Sequence, residues 1–222
     1  QNIKQRISAM TITTQRGTVV NLDKQGQALR PAILWLDQRL SELDHPQNKA
    51  VPWYWQTAFK LIGQSDAINF FRRKAQANWL NQEQPELWQA TDKFLLLSGF
   101  LTYKLTGEFK DSIGSQVGYL PFDYKKQQCA GDKDWKWALL PIKKTMLPTL
   151  IRPGESLGYI TPQAALDTGL PENLNVIASA SDKACEVLGS GCIEPSTASL
   201  SYGTTATINT NNARYVEPQT FI

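Results

Sequence analysis

Leu174-Asn175-Val176-Ile177-Ala178-Ser179-Ala180-Ser181-Asp182 runs from apolar residues into small ones and ends on a carboxylate. Such a run reads as a buried strand followed by a tight turn. Asp182 stands where its oxygens can accept backbone N–H groups two or three residues on, so it is expected to cap the next helix. That helix is Lys183-Ala184-Cys185-Glu186-Val187-Leu188, ended by Gly189-Ser190-Gly191. A second strand, Ala198-Ser199-Leu200-Ser201-Tyr202, breaks at Gly203-Thr204-Thr205. Glycine lets a backbone come close to a ligand, and two hydroxyls with free N–H groups suit an anion such as phosphate. A carboxylate and a phosphate-sized loop therefore stand at two successive strand ends.

Working outward, residues 6–14 are rich in β-branched and apolar side chains and read as a strand, and residues 17–22 continue the β character. Asp23-Lys24-Gln25-Gly26 is turn chemistry, and residues 28–35 return as another strand, with Pro31 at its start or edge because it lacks the ladder donor. Residues 38–44 read as a short helix. Apolar residues recur at helical spacing over 53–62 and 66–80, the second helix with Ser65 as its N-cap. Pro85 opens another short helix, and residues 94–97 form a buried strand. A helix over 98–104 closes at Gly107. Residues 125–133 are the best candidate for a mobile loop, 134–141 are helical, and 162–168 form a helix with proline in its first turn, ended by Gly169. Asn209-Thr210-Asn211-Asn212 marks a further loop.

Composition bounds the function class. A chain of 222 residues, 41% hydrophobic and 19% charged, buries a full core as one large domain or two small ones. A net charge of +3, with scattered basic residues, does not argue for nucleic acid. No apolar run approaches the roughly 18 residues of a membrane span. No basic-then-apolar leader is visible, and three unpatterned cysteines read as thiols in a reducing cytoplasm. A single histidine and no Cys-x-x-Cys pair leave few ligands for a structural metal site, so none is expected.

Several phrases together resemble the FGGY family of carbohydrate kinases. They are Asp182 at a small-residue strand end, Leu188-Gly189-Ser190-Gly191, Gly203-Thr204-Thr205, and Pro31-Ala32-Ile33-Leu34-Trp35-Leu36-Asp37-Gln38-Arg39. The turn Thr14-Gln15-Arg16-Gly17, the phrase Leu105-Thr106-Gly107-Glu108, the stretch from Asp111 to Asp123, and Gly158-Tyr159-Ile160-Thr161-Pro162 follow in family order. The resemblance implies an α/β fold of the ribonuclease-H-like, actin-like ATPase type, with a mixed central sheet and helices on both faces. It implies that residues 1–222 are the N-terminal, sugar-binding half of such a kinase. On that reading the first Asp-x-Gly-Thr phosphate loop and the C-terminal nucleotide-binding domain lie outside the chain.

The implied chemistry is ATP-dependent phosphorylation of a sugar or polyol hydroxyl, with ATP and Mg2+ as cofactors. A hydroxyl is barely ionised at neutral pH, so a carboxylate must take its proton as the bond to phosphorus forms. The resemblance assigns that role to Asp182 and the phosphate cradle to Gly203, Thr204 and Thr205. It assigns the substrate face to Gln15, Arg16, Trp35 and Lys183, with Lys74 as a further cleft candidate. Two departures stand out. Gly17 replaces a glutamate that contacts the polyol in glycerol kinases, which disfavours glycerol. Ala180-Ser181 replaces the usual glycines before the aspartate and supports the rival reading, a catalytically inactive sugar-binding or regulatory module. The expected partner is a small-molecule sugar or polyol, with no nucleic acid and no membrane, and a homodimer is the candidate assembly.

Overall fold

The computed structural model describes residues 3–202 and 206–216. In chain order, β1 is Ala9–Thr11 and β2 is Val19–Leu22. Four helices follow: α1 (Trp53–Leu61), α2 (Ser65–Lys74), α3 (Gln76–Glu83) and α4 (Pro85–Ala90). Then come β3 (Lys93–Leu96), α5 (Leu97–Thr106), β4 (Lys110–Ser112), the two short strands β5 (Phe122–Asp123) and β6 (Gln128–Cys129), and α6 (Trp135–Leu139). The chain continues through β7 (Thr149–Ile151), β8 (Ser156–Tyr159), α7 (Pro162–Thr168) and β9 (Asn175–Ile177). It ends with α8 (Asp182–Gly189), β10 (Ala198–Tyr202) and β11 (Ala206–Thr210).

The architecture is mixed α/β, with the β structure in small pieces. β9 lies between β1, which it pairs in parallel, and β8, which it pairs antiparallel. β4 and β7 pair in parallel, and a bridge from Gly114 to Ala180 ties the chain beyond β4 to the chain beyond β9. The pairs β2–β3, β5–β6 and β10–β11 are antiparallel. β2 is buried along its whole length, as its Val-Val-Asn-Leu run demands.

The main core packs Val19, Leu96, Leu80, Leu139 and Leu140 with an aromatic group. In that group Trp55 stacks on Phe59 (5.7 Å between centroids), and Trp135 meets Phe59 and Phe71 edge-on (5.8 and 5.7 Å). Trp55, Trp79, Trp88, Trp135 and Trp137 thus pack in or against the core, whereas Trp53 at the start of α1 is 77% exposed. A second cluster, Leu157, Ile160, Ala164, Leu174, Val176 and Ala178, anchors β8, α7 and β9. It fixes the strand end that precedes Asp182.

Several sequence expectations need correction. Residues 28–35 form no strand; they touch β2 only at the bridges Leu22–Ala28 and Val19–Ile33, on either side of Pro31. Residues 38–44 are not helical: the Ser41 N–H donates to the Arg73 carbonyl (2.9 Å) and the Glu42 N–H to Gln82 Oε1 (2.8 Å), so tertiary partners displace the local ladder. The single helix over 66–80 is two, broken at Ala75 with an extended ψ of 114°, and the Asn78 amide takes up the Arg72 carbonyl at 2.9 Å. Ser65 is the first helical residue and Gln64 the cap, without a side-chain bond. Residues 125–133 are mostly turn, with the two-residue strand β6 set among them, and β11 extends to Thr210. Gly107 and Gly169 do close α5 and α7, both left-handed (φ 74° and 69°).

Candidate active site

Asp182 is exposed and is the first residue of α8. It does not cap that helix. Ser181 holds the N-cap position, and Asp182 Oδ1 accepts the N–H of Lys183 at 2.7 Å. The carboxylate therefore has one oxygen tied locally and sits at a strand-to-helix junction facing solvent, where a hydroxyl substrate has access. Its backbone is gripped from two sides. The Asp182 N–H donates to the Thr14 carbonyl at 3.0 Å, and the Ser181 N–H donates to the Gly114 carbonyl at 3.1 Å. Ser179 Oγ also donates to the Ile12 carbonyl at 2.5 Å.

The Thr14 bond matters because Thr14 opens the turn that carries Gln15 and Arg16. The pairing of β1 with β9 brings that turn to the same sheet end as Asp182. Gly17 has φ 71°, a left-handed conformation that a side chain resists. A Cβ built there lies 3.7 Å from the Trp35 Cβ, so the turn and Trp35 are neighbours. Gln15 Nε2 donates to Thr18 Oγ1 (2.8 Å) and Gln76 Nε2 to the Gly17 carbonyl (3.3 Å). Gln15 thus braces the turn, while Arg16 is exposed at it. Trp35 is 57% exposed, which removes it from the core and leaves its indole face open.

A cavity of about 440 Å3 adjoins the turn, walled by Phe71, Gly118, Tyr119, Tyr124, Trp135 and Tyr215. Gly118 brings it close: a Cβ there would lie 3.9 Å from the Gly17 Cα. Burial pushes the Tyr124 hydroxyl above its ordinary range, opposed by the Gly118 N–H and the charge of Arg16. Beside Trp35, the Arg39 guanidinium hydrogen-bonds Asp37, holds its carboxyl below the usual carboxylate range, and stacks 3.8 Å from the Trp79 ring centre. Asp37 is therefore committed to Arg39. A larger cavity of about 760 Å3 lies between residues 43–51 and α1 and α2, and none of the predicted site residues lines it.

Lys183 and Lys74 turn to other partners. Lys183 Nζ bonds Glu186 Oε2 (2.7 Å) and Ser201 Oγ (3.3 Å), which joins α8 to β10, and that hydrogen bond lowers the pKa of Glu186. Lys74 Nζ bonds Gln38 Oε1 at 3.1 Å. Gly203, Thr204 and Thr205 lie outside the described residues; their neighbours Tyr202 and Ala206 are cross-strand partners. The sequence reading missed Gly114, Gly118, Tyr124 and Gln76. Only the small-residue run around Gly114 carried a signal, that of close backbone approach. Among the described residues no group of three or more His, Cys, Asp or Glu could hold a metal ion, and no helix is long and apolar enough to cross a membrane.

At this junction a strand end, an exposed carboxylate and a polar turn come together. A model of the FGGY family of carbohydrate kinases, N-terminal domain, matches residues 1–189, and the chain belongs to that family. The uncharacterized sugar kinase YgcE of Escherichia coli is 43% identical over 114 residues, covering 48% of this chain and 22% of that protein. The xylulose kinase of Escherichia coli is 28% identical over 219 residues, covering 92% of this chain and 40% of that one. Among solved structures, xylulose kinase from Rhodospirillum rubrum superposes with a TM-score of 0.70 at 24% identity, over 90% of this chain and 40% of its own. A ligand-bound xylulose kinase from Lactobacillus acidophilus gives 0.68 at 20% identity, over 94% and 42%. The fold is thus the ribonuclease-H-like, actin-like fold of these kinases, and the chain spans less than half the length of the relatives it matches.

Proposed function

We propose that residues 1–222 form the acceptor-binding half of an ATP-dependent kinase for a sugar or polyol hydroxyl. The observation that carries this reading is the hydrogen bond from the Asp182 amide to the Thr14 carbonyl, which joins the exposed carboxylate to the turn bearing Arg16. Asp182 is the general base: it takes the hydroxyl proton as the oxygen attacks the γ-phosphorus. Arg16 donates to sugar hydroxyls, and the open face of Trp35 packs on the sugar carbons. Gln15 acts by bracing the turn and Lys183 by joining α8 to β10. Gly203, Thr204 and Thr205 cradle phosphate, at the connection between β10 and β11.

ATP would be the phosphoryl donor, and charge neutralisation at the transferring phosphate is the chemistry that a bound Mg2+ would supply. Magnesium is usually held by one or two carboxylates plus substrate phosphates. Among the described residues Asp182 stands at this junction and Glu186, one turn further along α8, is bonded to Lys183, a set that fits an ion brought in on the nucleotide instead of one held in a protein cage. Closure of two lobes over the sugar would keep water from accepting the phosphate. The xylulose kinases among the relatives make a ketopentose the first substrate to try.

The test is a coupled ADP assay of the full-length protein against pentoses, hexoses, ketoses and polyols, run beside a thermal-shift screen of the same panel. Binding to the folded state alone raises the melting temperature by linkage. The proposal expects one sugar class both to stabilise the protein and to release ADP. Stabilisation without ADP release would favour the inactive sugar-binding module.

A further inference from the structure

We propose that Asp111 is a positioning residue for Asp182, an inference that rests on Asp182 being the base. Asp111 lies in β4, is 1% exposed, and has no part in substrate contact. Its carboxylate draws together two elements. Ser98 Oγ, in the first turn of α5, donates to Oδ2 at 2.9 Å. Gln116 Nε2 donates to Oδ2 at 2.8 Å, and the Ser112 N–H to Oδ1 at 2.8 Å. All three donors are neutral. A buried carboxylate without a cation is costly, and an apolar side chain of similar size would be cheaper. The amide oxygen of an asparagine, with two lone pairs, could not accept all three hydrogen bonds at once.

The turn that Asp111 secures, residues 112–116, is the one that grips the strand end before Asp182. Ser112 Oγ donates to the Ser179 carbonyl. The Gly114 carbonyl accepts the Ser181 N–H at 3.1 Å, and Gly114 forms the bridge to Ala180. The approach is tight: a Cβ on Gly114 would lie 2.8 Å from both the Ala180 Cβ and the Ser179 oxygen. The base is thus held between Thr14 on one side and the 112–116 turn on the other, and Asp111 fixes the second. Loosening that turn lets Asp182 drift from the acceptor hydroxyl while Arg16 and Trp35 keep their places. A misplacement of about 1 Å in such a site costs on the order of 100-fold in rate.

The experiment compares wild type, Asp111→Asn, Ser112→Ala and Asp182→Asn in the full-length kinase. It measures kcat, KM for sugar and ATP, and sugar affinity by calorimetry. Asp111→Asn is expected to lower kcat by about 10–100-fold per folded molecule, with sugar Kd and both KM values within about threefold of wild type. Ser112→Ala releases the same turn without touching the buried charge, so it keeps the test open if Asp111→Asn fails to fold. It is expected to lower kcat in the same direction. A purely structural role would reduce the folded fraction or weaken sugar binding and leave kcat per folded molecule unchanged; that result in either variant overturns the proposal. A wild type without activity, or an Asp182→Asn variant as active as wild type, would remove the base assignment itself and this inference with it.

Discussion

Asp111 carries a charge that stability disfavours. Burial pushes its carboxyl up to about 6 from an ordinary 3.8, with its hydrogen bonds acting the other way. The folded state therefore holds that proton to a higher pH than the unfolded chain does. The stabilisation is complete below the unfolded value and is lost as pH rises through the folded one. Each pH unit of displacement is worth about 1.4 kcal/mol, so wild type loses up to about 3 kcal/mol relative to Asp111→Asn between pH 4 and pH 7. Asp37 and Asp123 are shifted the opposite way, so the check is the difference between wild-type and variant denaturation curves across that range. A wild type that gains stability relative to Asp111→Asn as pH rises from 4 to 7 would contradict the burial argument. Trp35 makes the complementary case. With its side chain 57% exposed, Trp35→Ala should change unfolding free energy by no more than about 0.5 kcal/mol. It should weaken sugar binding by about tenfold, read by calorimetry.

At the scale of elements, the outcome turns on contacts between segments far apart in sequence. Gly114→Ala forces a Cβ against the Ala180 Cβ and the Ser179 oxygen at 2.8 Å. It should cost about 1–3 kcal/mol in chemical denaturation and shift the strand end before Asp182. Asn78→Ala removes one of the two hydrogen bonds to the Arg72 carbonyl where α2 breaks into α3, the other coming from Ser41 Oγ, and should cost about 1 kcal/mol. These contacts also explain what was legible in the sequence. Elements with local signals were placed well: Pro162 and Gly169 bound α7, Pro85 opens α4, and Gly107 ends α5. The break at Ala75 was not legible, because the Asn78 side chain that makes it tolerable is read as one more helical residue. Residues 28–35 have strand composition, but pairing depends on a partner and Pro31 removes a donor. At the site, Asp182, Arg16 and Trp35 could be singled out from the sequence. Their closeness could not, because it runs through the Thr14 carbonyl and the Gly17 backbone, which have no side-chain signature.

At the scale of the molecule, the chain spans 40% of the Escherichia coli xylulose kinase it matches, and the proposed acceptor junction lies within it. Phosphoryl transfer also needs an adenosine pocket and donors around the phosphate. The 222-residue chain alone is therefore expected to release no ADP above background with any sugar of the panel; measurable turnover would show that these residues suffice. The most direct test is made on the full-length protein. ADP release with its best sugar is compared between wild type and Asp182→Asn, with sugar affinity measured in parallel. Loss of a general base predicts a fall of about 10²–10⁴-fold in kcat with sugar affinity retained. An Asn variant that turns over within tenfold of wild type would contradict the account.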